Sequence, residues 1–150
     1  MRSTRIVTIS TAALVAIGAA ASERKVQMKD LPAAVQKTVQ EQTRSAKLVG
    51  LAEEVEEGKT FYEAETKVDG RTRDILIDAA GTVVEVEEEV PLGSIPEGAR
   101  SAIQRAAANG KLQRVESVTK GGTTVYEATI TRDGKKAQVV VTSDGTIKKQ

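Results

Sequence analysis

The chain has 150 residues, 22 Lys+Arg against 21 Asp+Glu for a formal net charge of +1, and neither cysteine nor histidine. Those absences exclude disulfide staples, lipidation on cysteine, thiolate or imidazole metal sites, and the ordinary serine and cysteine triads, which need a histidine base. With so balanced a charge and no basic stretch interleaved with aromatics, nucleic acid is not an expected partner.

Arg2 and Arg5 open the chain as a short basic region, residues 6–18 are mostly apolar, and Ala19, Ala20 and Ala21 supply a small-residue cleavage site. Residues 1–21 therefore read as an export signal that is removed. Thr8, Ser10 and Thr11 dilute the apolar stretch, which falls short of the ~20 residues a spanning helix needs, so no stable membrane insertion is expected after cleavage. The mature protein is expected in the periplasm or outside the cell, with residues 22–30 as an N-terminal linker.

From residue 31 the sequence repeats itself at an offset of 64 residues without a gap. Pro32 recurs as Pro96, Gly58 as Gly122, Tyr62-Glu63-Ala64 as Tyr126-Glu127-Ala128, Asp69-Gly70 as Asp133-Gly134, and Gly81-Thr82 as Gly145-Thr146. Residues 31–94 form repeat 1 and residues 95–150 repeat 2. A fixed period marks one supersecondary unit used twice, and each unit is too small to bury a core comfortably alone. Their charges differ: repeat 1 has 7 Lys+Arg and 14 Asp+Glu, net −7, and repeat 2 has 10 and 5, net +5.

Each repeat opens with a helix. Asp30 and Ser94 are capping residue types, Pro32 and Pro96 fall in the first turn, and Leu31, Val35 and Val39, like Ile95, Ala99 and Ile103, make an apolar stripe. Asn109-Gly110 is expected to stop the second helix in the left-handed region. The period then changes to two, predicting strands at 48–55, 60–68, 73–78 and 82–90, and at 112–119, 123–132, 136–142 and 146–149. The short turns between them imply antiparallel neighbours, and Asp-Gly at 69–70 and 133–134 tolerates the positive φ of a tight hairpin. The fold expected is α+β: two tandem α-β-β-β-β repeats forming one antiparallel sheet of eight strands, with two helices packed on one face.

Alternation assigns the faces. Tyr62, Ala64 and Val68, with Tyr126, Ala128 and Ile130, should face the helices, while Phe61, Glu63, Glu65, Val125 and Glu127 should face away. Phe61 is the single phenylalanine of the chain and the natural apolar anchor of a partner-binding face. Glu63 and Glu127 occupy equivalent positions, but an acid/base pair made from them would lack a nucleophile, and no enzyme activity, catalytic residue or cofactor is expected. The acidic run Glu85, Glu87, Glu88 and Glu89, with Asp78 nearby, is the one candidate for an oxygen-rich Ca²⁺ site and gives the alternative reading of a Ca²⁺-responsive envelope module. A charged outer strand face that discourages edge pairing accounts for the same run, so no metal ligand is assigned.

The proline-started helix, Tyr-Glu-Ala at 62–64 and 126–128, the Asp-Gly hairpin, the β-branched strands at 75–77 and 139–141 and the closing Gly-Thr turn at 81–82 and 145–146 together resemble the PepSY-like domains. Their tandem arrangement resembles the β-lactamase inhibitory protein architecture. The resemblance covers residues 31–150 and implies an exported, non-enzymatic protein-binding module. The partner it implies is an envelope or secreted peptidase that the module inhibits or regulates.

Overall fold

Asp69 and Gly70 carry φ of 50° and 81°, and Asp133 and Gly134 carry 49° and 74°, so both Asp-Gly pairs form the tight hairpin turns that their chemistry favours. Around these turns a computed structural model, which describes residues 22–148, builds one antiparallel sheet of nine strands in strict chain order. The elements are β1 (Ser22–Lys25), α1 (Ala33–Gln42), β2 (Lys47–Glu56), β3 (Lys59–Val68), β4 (Arg71–Asp78), β5 (Val83–Glu89), α2 (Glu97–Ala107), β6 (Lys111–Lys120), β7 (Thr123–Arg132), β8 (Lys135–Thr142) and β9 (Ile147–Lys148). The export signal read at residues 1–21 lies outside the described residues.

Both helices cover the same face. Val35 and Val39 of α1, with Leu31 ahead of it, pack on Tyr62, Ala64, Ile75 and Ile77. Ala99, Ala102 and Ile103 of α2, with Ile95, pack on Val115, Ala128 and Val141, and Tyr126 borders that cluster. Each helix thus covers its own repeat, and the sheet joins the two cores.

Two local expectations are corrected. Asp30 and Ser94 are not helix caps: each ends a 3-10 turn, and prolines 32 and 96 stand at the cap positions with ψ of 145°. A residue before proline is excluded from the helical region, so Leu31 and Ile95 are extended and the helix starts only after the ring. Asn109-Gly110 does not stop α2 in the left-handed region, since neither residue has positive φ. Gly110 is needed for room instead: a Cβ there would lie 2.9 Å from both Ile130 Cγ2 and the Thr131 carbonyl oxygen.

The ninth strand comes from the segment expected to be linker. Residues 22–25 pair with residues 52–55 of β2. Adding the repeat offset turns this register into that of residues 86–89 with 116–119, which is how β5 pairs with β6. β1 is therefore the first repeat's copy of the second half of β5. β5 itself serves twice, closing repeat 1 against β4 and opening repeat 2 against β6. The bulge also recurs, at residues 48–50 in β2 and 112–114 in β6.

Candidate functional site: the open face of the sheet

The face opposite the helices is built from every second residue of the strands, and the registers place its side chains in rows. One row runs Lys25, Ala52, Glu63, Leu76, Glu85, Lys120 and Thr123 from β1 to β7. A second runs Gly50, Glu65, Asp74, Glu87, Val118, Val125 and Thr142 from β2 to β8. A third carries Glu89, Glu116, Glu127, Val140 and Lys148, and Phe61 stands between Glu54 and Asp78 at the far end of β3. Phe61, Glu63, Glu65, Val125 and Glu127 all lie on this face, as their alternation requires.

Glu63 and Glu127 are not brought together. They sit on strands four steps apart, roughly 19 Å at the usual spacing of about 4.8 Å per step. The run at 85–89 is divided: Glu85, Glu87 and Glu89 point to the open face, while Glu88 points to the helix side and its Oε1 accepts from Arg73 Nε at 2.9 Å. Asp78 turns its Oδ1 to the backbone N–H groups of Ala80 and Thr82, 3.0 and 2.9 Å away, holding the β4–β5 turn. Among the described residues no group of three or more acidic side chains is arranged to hold a metal ion.

Strand alternation along β3 and β7 left out the residues that make this face unusual. Glu54, Asp74, Glu85 and Glu116 are buried, as are Ala52, Leu76 and Val140, on a face that neither helix covers. The register sets these side chains beside one another, with glutamates next to the aliphatic residues between them. Gly50 fits the same crowding, because a Cβ there would come within 2.8 Å of the Glu65 carboxylate. The signal that finds these residues is the cross-strand register, extended outward from Glu63 and Glu127 once the recurring bulge has been placed.

Packing carboxyl groups this closely raises their proton affinity. Burial pushes the Glu63 carboxyl up to about 8, and the charges of Glu54, Asp74, Glu65 and Glu87 add to the effect. Glu87 is likewise pushed up to about 8, first by burial and then by Glu116, Glu85 and Glu127. Glu54 and Glu127 are raised, each mainly by burial; Glu23 and Glu56 add to the first, and Glu116 and Glu85 to the second. Two cations moderate the field. Lys120 Nζ lies 2.9 Å from Glu85 Oε2, and Arg114 Nη2 lies 3.0 Å from Glu116 Oε2. The face is thus an acidic sheet surface with an aliphatic floor, holding protons at neutral pH that exposed glutamates would have released.

Nine ordered antiparallel strands with two helices on one side define an α+β fold that recurs in solved bacterial structures. A DUF2874 family protein from Bacteroides uniformis is similar with a TM-score of 0.63 and 20% identity, over 77% of this chain and 85% of that one. A second DUF2874 family protein, from Bacteroides ovatus, is similar with a TM-score of 0.62 and 22% identity over 79% and 85%. A BLIP-like protein from Bacteroides fragilis is similar with a TM-score of 0.59 and 19% identity over 77% and 82%. At these identities the likeness is one of fold, and the architecture is the BLIP-like one. No protein-family profile and no curated protein sequence matches the chain. Among the described residues no helix is long and apolar enough to cross a membrane.

Proposed function

We propose that this chain is an exported, non-enzymatic module that binds another protein through the open face of its sheet. The partner class is an envelope or secreted peptidase, held in an inhibited or regulated state, as the PepSY-like pattern of the sequence suggests. The observation that carries the reading is the set of buried carboxyls and aliphatic residues on a face that no element covers among the described residues. Withdrawing carboxyl groups from water costs free energy, and burial among like charges leaves Glu63 and Glu87 holding protons at neutral pH. A basic protein surface supplies counter-charge, and Phe61, Val118 and Val125 offer it apolar contact. Interface hot spots favour Trp, Tyr and Arg, so a face with one phenylalanine is proposed as a module of moderate affinity, not as a tight β-lactamase clasp.

The test is capture from an envelope extract on the immobilised protein, run beside Phe61→Ala, a Glu63→Lys/Glu127→Lys double variant and a Lys37→Glu control on the exposed side of α1. A peptidase retained by the wild type and by the control, but lost by both open-face variants, supports the siting. Identical retention by all four proteins rejects it.

A further inference from the structure

The junction between the two repeats is a template for a junction between two molecules. Inside the chain, residues 86–88 of β5 lie between β4 and β6, pairing with residues 73–75 on one side and 117–119 on the other. β1 is the copy of this segment displaced by the repeat offset, but among the described residues it pairs only with β2, and its outer edge is the edge of the described sheet. At the other end, β8 pairs along its length with β7, whereas β9 pairs only with Val140 and Val141. Residues 135–139 of β8 therefore present an outer edge that is unpaired within the described residues, and they correspond to residues 71–75 of β4, the strand that receives β5. Within the described residues, one end of the sheet holds a strand without its neighbour, and the other end holds that neighbour without its strand.

From this we infer that copies of the chain associate head to tail, with β1 of one copy seated antiparallel against the open edge of β8 in another. The register follows from the internal junction. Asp74 opposite Glu87 becomes Gln138 opposite Glu23 of the second copy, and Arg73 opposite Glu88 becomes Ala137 opposite Arg24. Main-chain hydrogen bonds extend the sheet without a break, and the open face of each copy stays free.

Charge does not carry the pairing. Lys135 and Lys136 are exposed on the β8 edge, and Glu23 of β1 is followed by Arg24 and Lys25, so the register sets Lys25 of one copy opposite Lys136 of the other, with Glu23 diagonal to it. Like charges directly opposite weaken a strand pair, and the contact rests on main-chain hydrogen bonding in the geometry of the internal junction. The contact is heterologous, joining unlike surfaces, so it propagates beyond a dimer unless the rotation between copies closes a ring. A single four-residue strand buries little area, which makes the association weak and concentration-dependent.

The absence of native cysteine allows a direct test on the full-length chain. Glu23→Cys and Gln138→Cys variants, prepared separately and distinguished by mass, are mixed under mild oxidation; Arg24→Cys with Ala137→Cys is the second pair. All four positions are exposed, so the variants keep the fold. The expected result is mixed disulfide in both pairs, several-fold above either variant alone. Glu23→Cys with Ala137→Cys should stay at background, because a one-residue slip puts the two side chains on opposite faces. Sedimentation velocity of the wild type should show mass rising progressively with concentration. Disulfide formed mainly within single variants, equal yield from matched and slipped pairs, or a strictly monomeric protein at millimolar concentration would each overturn the inference.

Discussion

Glu54 and Glu63 are diagonal neighbours on β2 and β3, and the negative charge of Glu54 adds to burial in raising the proton affinity of Glu63. Their environment sets the sign of the protein's pH dependence. Glu63 and Glu87 both titrate near 8 in the folded state against an ordinary 4.5, so between those values the folded chain binds more protons than the unfolded one. Stability from these groups is complete below pH 4.5, declines as pH rises toward 8 and is gone above it. Unfolding free energies from urea titrations at pH 5 to pH 9 should therefore fall, by about 1–3 kcal/mol in total after allowance for solvent screening. Glu63→Gln should flatten the profile and raise stability at pH 9, where the wild-type carboxylate is charged. A wild-type profile that is flat or rises across this range contradicts the arrangement.

The ion pair of Lys120 with Glu85 joins the two repeats across β5 and β6, and the Glu85 side chain is only 9% exposed. Lys120→Met leaves that carboxylate among Glu63, Glu87 and Leu76 without its cation. A buried carboxylate stripped of its cation is costly, so the variant should lose about 1–2 kcal/mol, and the same substitution in a Glu85→Gln background should cost much less. Paired denaturation curves in the two backgrounds check this. An equal loss in both would mean that Lys120 acts through its aliphatic stem instead.

Legibility in the sequence followed the range of the interaction concerned. Asp69-Gly70 and Asp133-Gly134 were readable because a hairpin turn is decided by the dihedral preferences of two residues. The helix starts were misleading because Asp30 and Ser94 are good capping types, while the restriction that proline places on the residue before it decides where the helix begins. β1 carries no alternation of its own in Ser22-Glu23-Arg24-Lys25, and its only sequence signal lies one repeat later, in the half of β5 that pairs with β6. Phe61, Glu63, Glu65, Val125 and Glu127 fell on the open face by simple alternation along β3 and β7. Glu54, Asp74, Glu87 and Glu116 join them only through inter-strand register, which a bulge at residues 48–50 displaces by one position. How deeply each of those carboxyls is buried depends on neighbours from four or five strands, and no local pattern encodes that.

The repeated Gly-Thr turns give a sharp test of the duplicated architecture. Gly81 has φ of 85° and lies against α1, where an added Cβ would meet the Ala34 carbonyl oxygen at 2.8 Å; Gly145 has φ of 90° and would meet the Gly98 carbonyl oxygen at 2.5 Å. The turn is held there by Thr38 Oγ1, which donates to the Gly81 carbonyl oxygen at 2.6 Å. Gly70 has nearly the same φ, 81°, but nothing within 4 Å of an added Cβ. Alanine at 70 should therefore cost only the left-handed backbone penalty, about 1 kcal/mol, whereas alanine at 81 or 145 must also push a hairpin away from helix backbone and should cost about 2–4 kcal/mol. Chemical denaturation of the three single variants at one pH separates the two effects. If Gly70→Ala proved as damaging as Gly145→Ala, the close approach of turn to helix would not be what fixes glycine at the repeated positions.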